Sequence, residues 1–229
     1  MSGNSTRTVG ILGAGQVGTA LARQALKAAY EVLVATTRPP AEIELLVEVM
    51  APGAKAVPAD VAARASDLVI LAVPLAKYRQ LDPESLSGKI TIDVMNYWAP
   101  TDGTLAEFEG NVSSSEVVQQ YLRYTRLVRT LNHIGYHDVE EDALPAGHPE
   151  RRALAVAGND AKARATVAEF LDRLGYDAVD AGMLASARSF AIGTPIFEGH
   201  WQRDEMKRLL DAAAERSLVS LANATAVVA

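Results

Sequence analysis

Between residues 13 and 18 the chain reads Gly13-Ala14-Gly15-Gln16-Val17-Gly18, a G-x-G-x-x-G spacing placed directly after the apolar run Val9-Gly10-Ile11-Leu12. Each glycine has its own mechanical reason in such a pattern. Gly13 turns the chain out of a strand, Gly15 lets the backbone approach a pyrophosphate, and Gly18 lets a helix lie close on the strand. The free N–H groups and positive end of a helix opening near Gln16 then hold the phosphate charge. The motif follows a strand, opens a helical stretch and precedes a second strand, the context that a dinucleotide site requires.

The second strand, Glu31 to Ala35, ends without the Asp or Glu that would hold the ribose diol of NAD. Thr36, Thr37 and Arg38 stand there instead. Two hydroxyls and a forked cation suit a phosphate monoester on the 2′ oxygen, which a carboxylate would repel. The cofactor expected from these residues is NADP(H).

The elements that must position this motif are legible as an alternation. Strands are expected at Thr8–Gly13, Glu31–Thr36, Leu68–Val73, Lys89–Asp93, Leu127–Leu131, Arg152–Ala157 and Tyr176–Asp180. Helices are expected at Gln16–Ala28, Ala41–Met50, Ala59–Ala65, Leu75–Gln80, Ser115–Tyr124 and Ala161–Leu174, the last stopped by Gly175. Alternation of this kind builds a doubly wound parallel sheet of the Rossmann type, and the continuously apolar runs "LVILAV" and "LAVA" fit strands buried on both faces. Met183–Gly199 reads as a loop, and a helix follows from Arg203 to about Ala222, with apolar positions at Met206, Leu209, Leu210, Ala213, Leu218 and Leu221. That helix has three placements open to it: on the sheet edge, in a small C-terminal lobe, or at a homodimer contact. The turn-rich, acidic stretch Asp138–Pro149 marks a soft boundary, giving an NADP-binding domain over residues 1–145 and a smaller lobe over 146–229 that completes the crevice.

Composition narrows the function classes. The chain has 229 residues, 49% hydrophobic and 22% charged, with a net charge of −6. No basic field is available for nucleic acid. The absence of cysteine excludes disulfides, thiolate metal sites and cysteine nucleophiles. The polar start Met1–Arg7 has no signal-peptide core, and no run of about 18 apolar residues occurs. A cytoplasmic protein without membrane partners is expected, and the sequons at Asn4 and Asn111 read as chance.

"GILGAGQVG" with "TTR", "VILAVPLAKY" with "KITIDVMNYW", then "LNHIG", "RRALAVAGND" and "LGYDAVDAGML", taken together, resemble the NADPH-dependent reductases of the deazaflavin coenzyme F420. They belong to a wider group of short dinucleotide-binding oxidoreductases that includes the cytoplasmic domains of membrane ferric reductases. The likeness spans about residues 8 to 197. It implies that Thr37 and Arg38 clasp the 2′-phosphate, that Leu71, Ala72, Val73 and Pro74 line the nicotinamide ribose, and that Val94, Met95 and Asn96 lie near the nicotinamide. Ala155–Gly158, with Ala157, would approach the same ring from the other lobe. Lys77 lies at the cofactor edge or faces solvent. The chain departs from the family at Ala41-Glu42, where members commonly carry a second basic residue.

The implied activity is hydride transfer between NADP(H) and coenzyme F420 as co-substrate. No Tyr-x-x-x-Lys pair or Ser/His/Asp set appears, and transfer between two planar rings needs chiefly stacking and distance. No essential catalytic side chain is therefore expected, with His133 and Asn96 as positioning residues. His133 and His137 are spaced four apart, but Gly135 lies between them at a strand end, so no metal site is expected. Tyr97-Trp98 stack on a ring or cap the sheet. The alternatives are an NADPH-dependent flavin or ferric reductase, and a non-catalytic NADP(H)-sensing module.

Overall fold

The computed structural model describes residues 7–110, 112–197 and 199–227. Asn4, Asn111 and the side chains of Leu218 and Leu221 lie outside that description. Among the described residues, eight strands form one sheet: β1 (Thr8–Leu12), β2 (Glu31–Ala35), β3 (Lys55–Ala56), β4 (Leu68–Leu71), β5 (Ile90–Asp93), β6 (Arg126–Arg129), β7 (Ala153–Gly158) and β8 (Asp177–Gly182). Their order is β3-β2-β1-β4-β5-β6-β7-β8. The chain leaves β1 toward β2 and β3, then crosses back to β4 on the other side. That reversal makes the crevice beyond the carboxyl ends of β1 and β4 the switch point, where open α/β sheets hold their ligands.

The side-chain alternation of each strand divides the core between two faces. Val9, Ile11, Leu68, Ile70, Val128, Leu154 and Val156 pack on one face, with α1 (Gln16–Lys27) and α7 (Ala161–Leu174). Leu12, Val69, Leu71 and Leu127 pack on the other with α3 (Ala59–Ala65), the 3₁₀ segment Leu75–Gln80 and α5 (Ser114–Tyr121). All four residues of β4 and all six of β7 are buried, which accounts for their unbroken apolar runs. The fold is the expected α/β Rossmann type.

Several details differ from the expectation, and each has a local cause. The sheet is not wholly parallel: β7 runs antiparallel to β6, through the pairs Val128↔Gly158 and Arg129↔Ala157. The long connection from residue 130 to 152 contains only the short helix α6 (Asp138–Glu141) and returns β7 from the crevice end. The expected strands ran one or two residues too far at several ends, because Gly13, Thr36, Ala72 and Val73 belong to the turns above the sheet. The helix expected at Ser115 begins one residue earlier, since Ser113 is its cap and forms a capping box with Glu116. The stretch after Met183 is not all loop: Leu184–Phe190 is a 3₁₀ segment whose Leu184, Ala187 and Phe190 are buried. Sequence reading also passed over β3, α6, α4 (Ala99–Asp102) and the 3₁₀ turn Ala106–Phe108, all too short to give a period.

The tail helix α8 (Arg203–Val227) follows α2 (Pro40–Met50) and the other helices as the last element. Its first turns pack Met206, Leu209 and Leu210 on the face of β7 and β8 opposite α7, together with Ala155, Val179, Phe190 and Trp201. The placement on the sheet edge, one of the three open to it, is thus corrected to the face of the last two strands, β7 and β8, against which these first turns pack.

Candidate functional site

The turn after β1 is built by backbone alone. The Gly13 N–H donates to the Ala35 carbonyl at the end of β2 (2.8 Å), and the Ala72 N–H donates to the Leu12 carbonyl (2.8 Å). The three strand ends are thereby knitted together at the switch point. Gly13 has φ +127°, and a Cβ there would lie 2.2 Å from the Ala72 carbonyl oxygen. A Cβ on Gly18 would lie 2.1 Å from the Gly13 carbonyl oxygen. Both glycines are required by the protein's own packing.

Gly15 is required by nothing in the chain. Its φ of −81° and ψ of −172° suit any residue, and no atom lies within 4 Å of a Cβ built on it. It is the N-cap of α1 and offers no side-chain cap. By contrast, Ser113 caps α5, and Asp160 caps α7 by accepting the Lys162 and Ala163 N–H groups. The first turn of α1 therefore presents bare N–H groups and the positive helix end to open space. That cradle fits a pyrophosphate, and a side chain at residue 15 would fill it.

Beyond β2, the Thr36 Oγ1 accepts the Arg38 N–H (3.0 Å), which folds the strand end into a tight turn. Thr37 and Arg38 are exposed, and among the described residues Arg38 takes part in no ion pair. Ala72, Val73 and Pro74 form the neighbouring turn above β4, with Lys77 exposed on the 3₁₀ segment that follows.

The far wall of the crevice is made of side chains instead. Asp93 and Arg129 are opposite residues in the β5–β6 register and pair at 3.1 Å, almost fully buried. Asp93 Oδ1 accepts the Met95 N–H (2.9 Å), and Oδ2 accepts the Ser115 hydroxyl (2.7 Å). Arg129 donates to the Met95 carbonyl and to Asn96 Oδ1 (2.8 Å). Asn96 Nδ2 donates to the Asn132 carbonyl (2.7 Å), and Asn132 Nδ2 donates to the Phe190 carbonyl (2.9 Å).

His133 continues this chain of bonds into β7. The Ala155 N–H donates to its Nε2 (3.0 Å), so that nitrogen carries no proton. The proton therefore sits on Nδ1, facing Asn132 Oδ1 at 3.1 Å. Burial, and then the charges of Arg152 and Arg129, lower its pKa from 6.5 to about 3. At neutral pH the ring is uncharged and both nitrogens are engaged. Arg152 closes the network by donating to the His133 carbonyl (3.0 Å), the Gly199 carbonyl (3.1 Å) and Asp142 (2.6 Å).

These elements enclose a cleft of about 580 Å³. It runs from Val17 on α1 past Asn96 and the Asn132–Tyr136 turn to Asp138, Asp142, Arg152, Phe197, Gly199 and His200. Met95 is buried just behind Asn96. Gly193, Thr194 and Pro195 do not line this cleft, and neither does Ala157, which is buried under α8. Tyr97 turns away to stabilise its own loop: its hydroxyl donates to Glu109 (2.9 Å) and accepts the Leu105 N–H (3.0 Å), and its ring packs on Phe108. Trp98 is half exposed. Among the described residues no three or more His, Cys, Asp or Glu converge as metal ligands, and His137 packs against Tyr136 instead of joining His133.

Sequence reading missed Asp93, Arg129, Asp142 and Arg152. A signal existed for the first two. "ITIDV" and "LVRTL" each carry one charge in a run otherwise apolar enough to be buried, and such charges must find partners.

Residues 8–97 match the family described as NADP oxidoreductase, coenzyme F420-dependent. The hypothetical protein SMa0349 of Sinorhizobium meliloti is 27% identical, with a TM-score of 0.75 over 86% of this chain and 96% of its own. A provisionally named F420-dependent NADP-reductase from Arthrobacter sp. FB24 is also 27% identical, with a TM-score of 0.69 over 80% of this chain and 88% of its own. The rat metalloreductase STEAP3 is 27% identical over 183 residues, which are 79% of this chain and 35% of that protein. The chain thus spans about a third of the length of that curated relative. Among the described residues no helix is long and apolar enough to cross a membrane.

Proposed function

We propose, for a chain that belongs through residues 8–97 to the NADP oxidoreductases described as coenzyme F420-dependent, that it transfers hydride between NADP(H) and a deazaflavin of the F420 type. The observation that carries the cofactor reading is Gly15, a glycine that the protein's own packing and backbone do not need. Gly13 and Gly18 shape the turn, while Gly15 leaves room for an external group beside the α1 N-terminus.

In this reading the backbone of Gly13, Ala14, Gly15, Gln16, Val17 and Gly18 holds the pyrophosphate, through N–H groups that no side chain caps. Thr36, Thr37 and Arg38, which takes part in no ion pair among the described residues, take the 2′-phosphate. Ala72, Val73 and Pro74 flank the ribose, Lys77 stands at its edge, and Met95 and Asn96 bound the nicotinamide end. Bound there, NADPH supplies a hydride. Residues 146–229 complete the crevice through Arg152, Phe197, Gly199 and His200.

The chain's part in the reaction is to position and to exclude water. His133 neither takes nor gives a proton, because Nε2 is occupied by the Ala155 N–H and the ring is held neutral. Transfer between planar rings fits a site without a general acid, whereas reduction of a carbonyl usually draws on one. The likeness to a metalloreductase favours a second reading, NADPH-dependent reduction of a flavin or, through it, of ferric iron.

One panel tests these readings: NADPH oxidation by the purified protein with coenzyme F420, FMN, FAD or a ferric chelate. Fastest turnover with F420 is expected. Preference for flavin or ferric iron overturns the first reading in favour of the second. NADPH bound but never consumed overturns both and leaves a sensing module.

A further inference from the structure

Arg129 is a costly residue to keep. It is buried beside Asp93 between two strands, and burial lowers its pKa even though Asp93 opposes the shift. A well-packed apolar pair of similar volume is often as stable as a buried ion pair or more so. Stability alone therefore does not explain the pair, and what its hydrogen bonds hold gives a better explanation. Arg129 touches two groups beyond Asp93, the Met95 carbonyl and Asn96 Oδ1.

Asn96 has an amide that can be turned either way, and the choice decides what it offers to the cleft. A guanidinium only donates, so the Asn96 atom facing Arg129 must be oxygen. A carbonyl only accepts, so the atom facing Asn132 must be nitrogen. Arg129, the Asn132 carbonyl and a longer bond from Asn132 Nδ2 to Asn96 Oδ1 (3.4 Å) all agree on one orientation, with the Arg129 guanidinium the nearer of the two donors to that oxygen. One N–H of that amide goes to Asn132, and among the described residues the second has no partner in the chain. Asn96 lines the cleft.

We infer that Arg129, anchored by Asp93, is a positioning residue that fixes the Asn96 amide so that the cleft wall presents an N–H donor there. The group it meets is a hydrogen-bond acceptor, such as a carboxamide or ring carbonyl oxygen of a bound redox partner. This rests on the reading of the cleft as the redox site. The wiring reaches further, since Asn132 also holds the Phe190 carbonyl and His133. Arg129 thereby ties the end of β5 to the 3₁₀ segment Leu184–Phe190.

The test begins without cofactor or turnover. In ¹⁵N-labelled wild-type protein the signals of the two Asn96 side-chain amide protons should lie displaced from the positions of a solvent-exposed asparagine, because their environment is fixed. Arg129→Lys keeps the charge beside Asp93 but lacks a fork that reaches both Met95 and Asn96. It should move those two signals toward the positions of a solvent-exposed asparagine amide. Unchanged Asn96 signals would overturn the inference.

The second measurement is single-turnover hydride transfer at saturating NADPH, with whichever acceptor the wild type uses. Arg129→Lys should slow transfer about 10- to 100-fold, the scale of a misplaced contact, while NADPH affinity stays within about threefold. Adding Arg129→Lys to Asn96→Ala should slow transfer no further. Independent, multiplying losses would mean that Arg129 acts merely on the fold. If Arg129→Lys fails to fold, Asp93→Leu with Arg129→Met removes both charges. That pair should fold and transfer slowly, and wild-type speed in it would also overturn the inference. Failure of the wild type to oxidise NADPH with any acceptor defeats the redox reading alone, because the amide signals still decide the orientation.

Discussion

The two ends of the crevice are built on opposite principles. At the β1 end the candidate site consists of missing atoms: no Cβ at residue 15, no side-chain cap on α1, no carboxylate after β2. At the β5–β6 end it consists of crowded side chains, in which Asp93, Ser115, Arg129, Asn96, Asn132 and His133 hold one another in place. A site of absences tolerates many sequences around it but not one added methyl in the wrong place. A site of mutual hydrogen bonds tolerates no change of donor into acceptor. On the reading proposed above, the first region would hold the phosphates of the dinucleotide and the second would orient the groups at its reacting end.

The sharpest way to break the contrast is at the glycines. Gly15→Val should leave the fold intact, because its side chain enters open space, yet lower NADPH affinity by at least about a hundredfold, roughly 2.7 kcal/mol. Titration calorimetry on a variant with native circular dichroism and melting temperature measures this. Micromolar binding retained would mean that the turn serves the fold alone. Gly18→Ala should do the reverse. Its Cβ would press on the Gly13 carbonyl, so stability should fall by about 1–3 kcal/mol in urea titration.

Within the first region, Arg38→Ala separates the 2′-phosphate from the rest of the cofactor. Losing a charge-assisted contact costs roughly 1.5–3 kcal/mol, on the order of 10- to 150-fold in affinity. NADPH binding should weaken by that amount while NADH binding stays nearly unchanged. An equal loss for both would remove Arg38 from the site.

The second region answers to pH. The unfolded His133 takes a proton near 6.5, but the folded one resists until about 3. The unfolded state therefore binds the extra proton between those values, and stability falls as pH drops through that window. The slope should approach about 1.4 kcal/mol per pH unit from pH 6.5 down to about 5. Glu140, whose pKa is lowered by Lys27 and Arg23 against the effect of burial, titrates below that range. Urea midpoints of the wild type and His133→Gln across the window are the measurement, and equal slopes would refute the assignment.

The smallest expected effect is on the chemistry itself. A general acid or base contributes about 10²–10⁴-fold, so His133→Gln should slow hydride transfer by less than about a hundredfold at saturating cofactor. A larger drop with binding intact would turn the second region from a scaffold into a proton-transfer site.

The sequence disclosed these two regions unequally. Gly13, Gly15 and Gly18 sit within six residues, so their joint geometry is local and their spacing alone displays it. Arg38 is close enough to belong to the same reading. The second region joins residues 93, 96, 115, 129, 132 and 133, whose meeting depends on strand order and register. Asp93 and Arg129 were visible as charges in buried runs, but only the β5–β6 pairing makes them neighbours. The reversal at β7 was equally hidden, because an apolar strand reads the same in either direction. Asp142 and Arg152 followed from that reversal, since the start of β7 then lies at the crevice end.

The β6–β7 ladder has only two paired positions, against four or five between β1, β2, β4, β5 and β6. Where backbone pairing gives out, side chains continue it: the imidazole accepts the Ala155 N–H, and Arg152 reaches the His133 carbonyl. In mechanical terms this is a seam held by pegs instead of stitches. Amide hydrogens along it should exchange before those of β4, in openings smaller than global unfolding. Any opening that frees the ring lets it take a proton below about pH 6.5, so the opening free energy at Ala155, read after correction for the intrinsic exchange rate, should fall as pH drops through that window. A fold that reads as one sheet would then come apart along a line set by a single histidine.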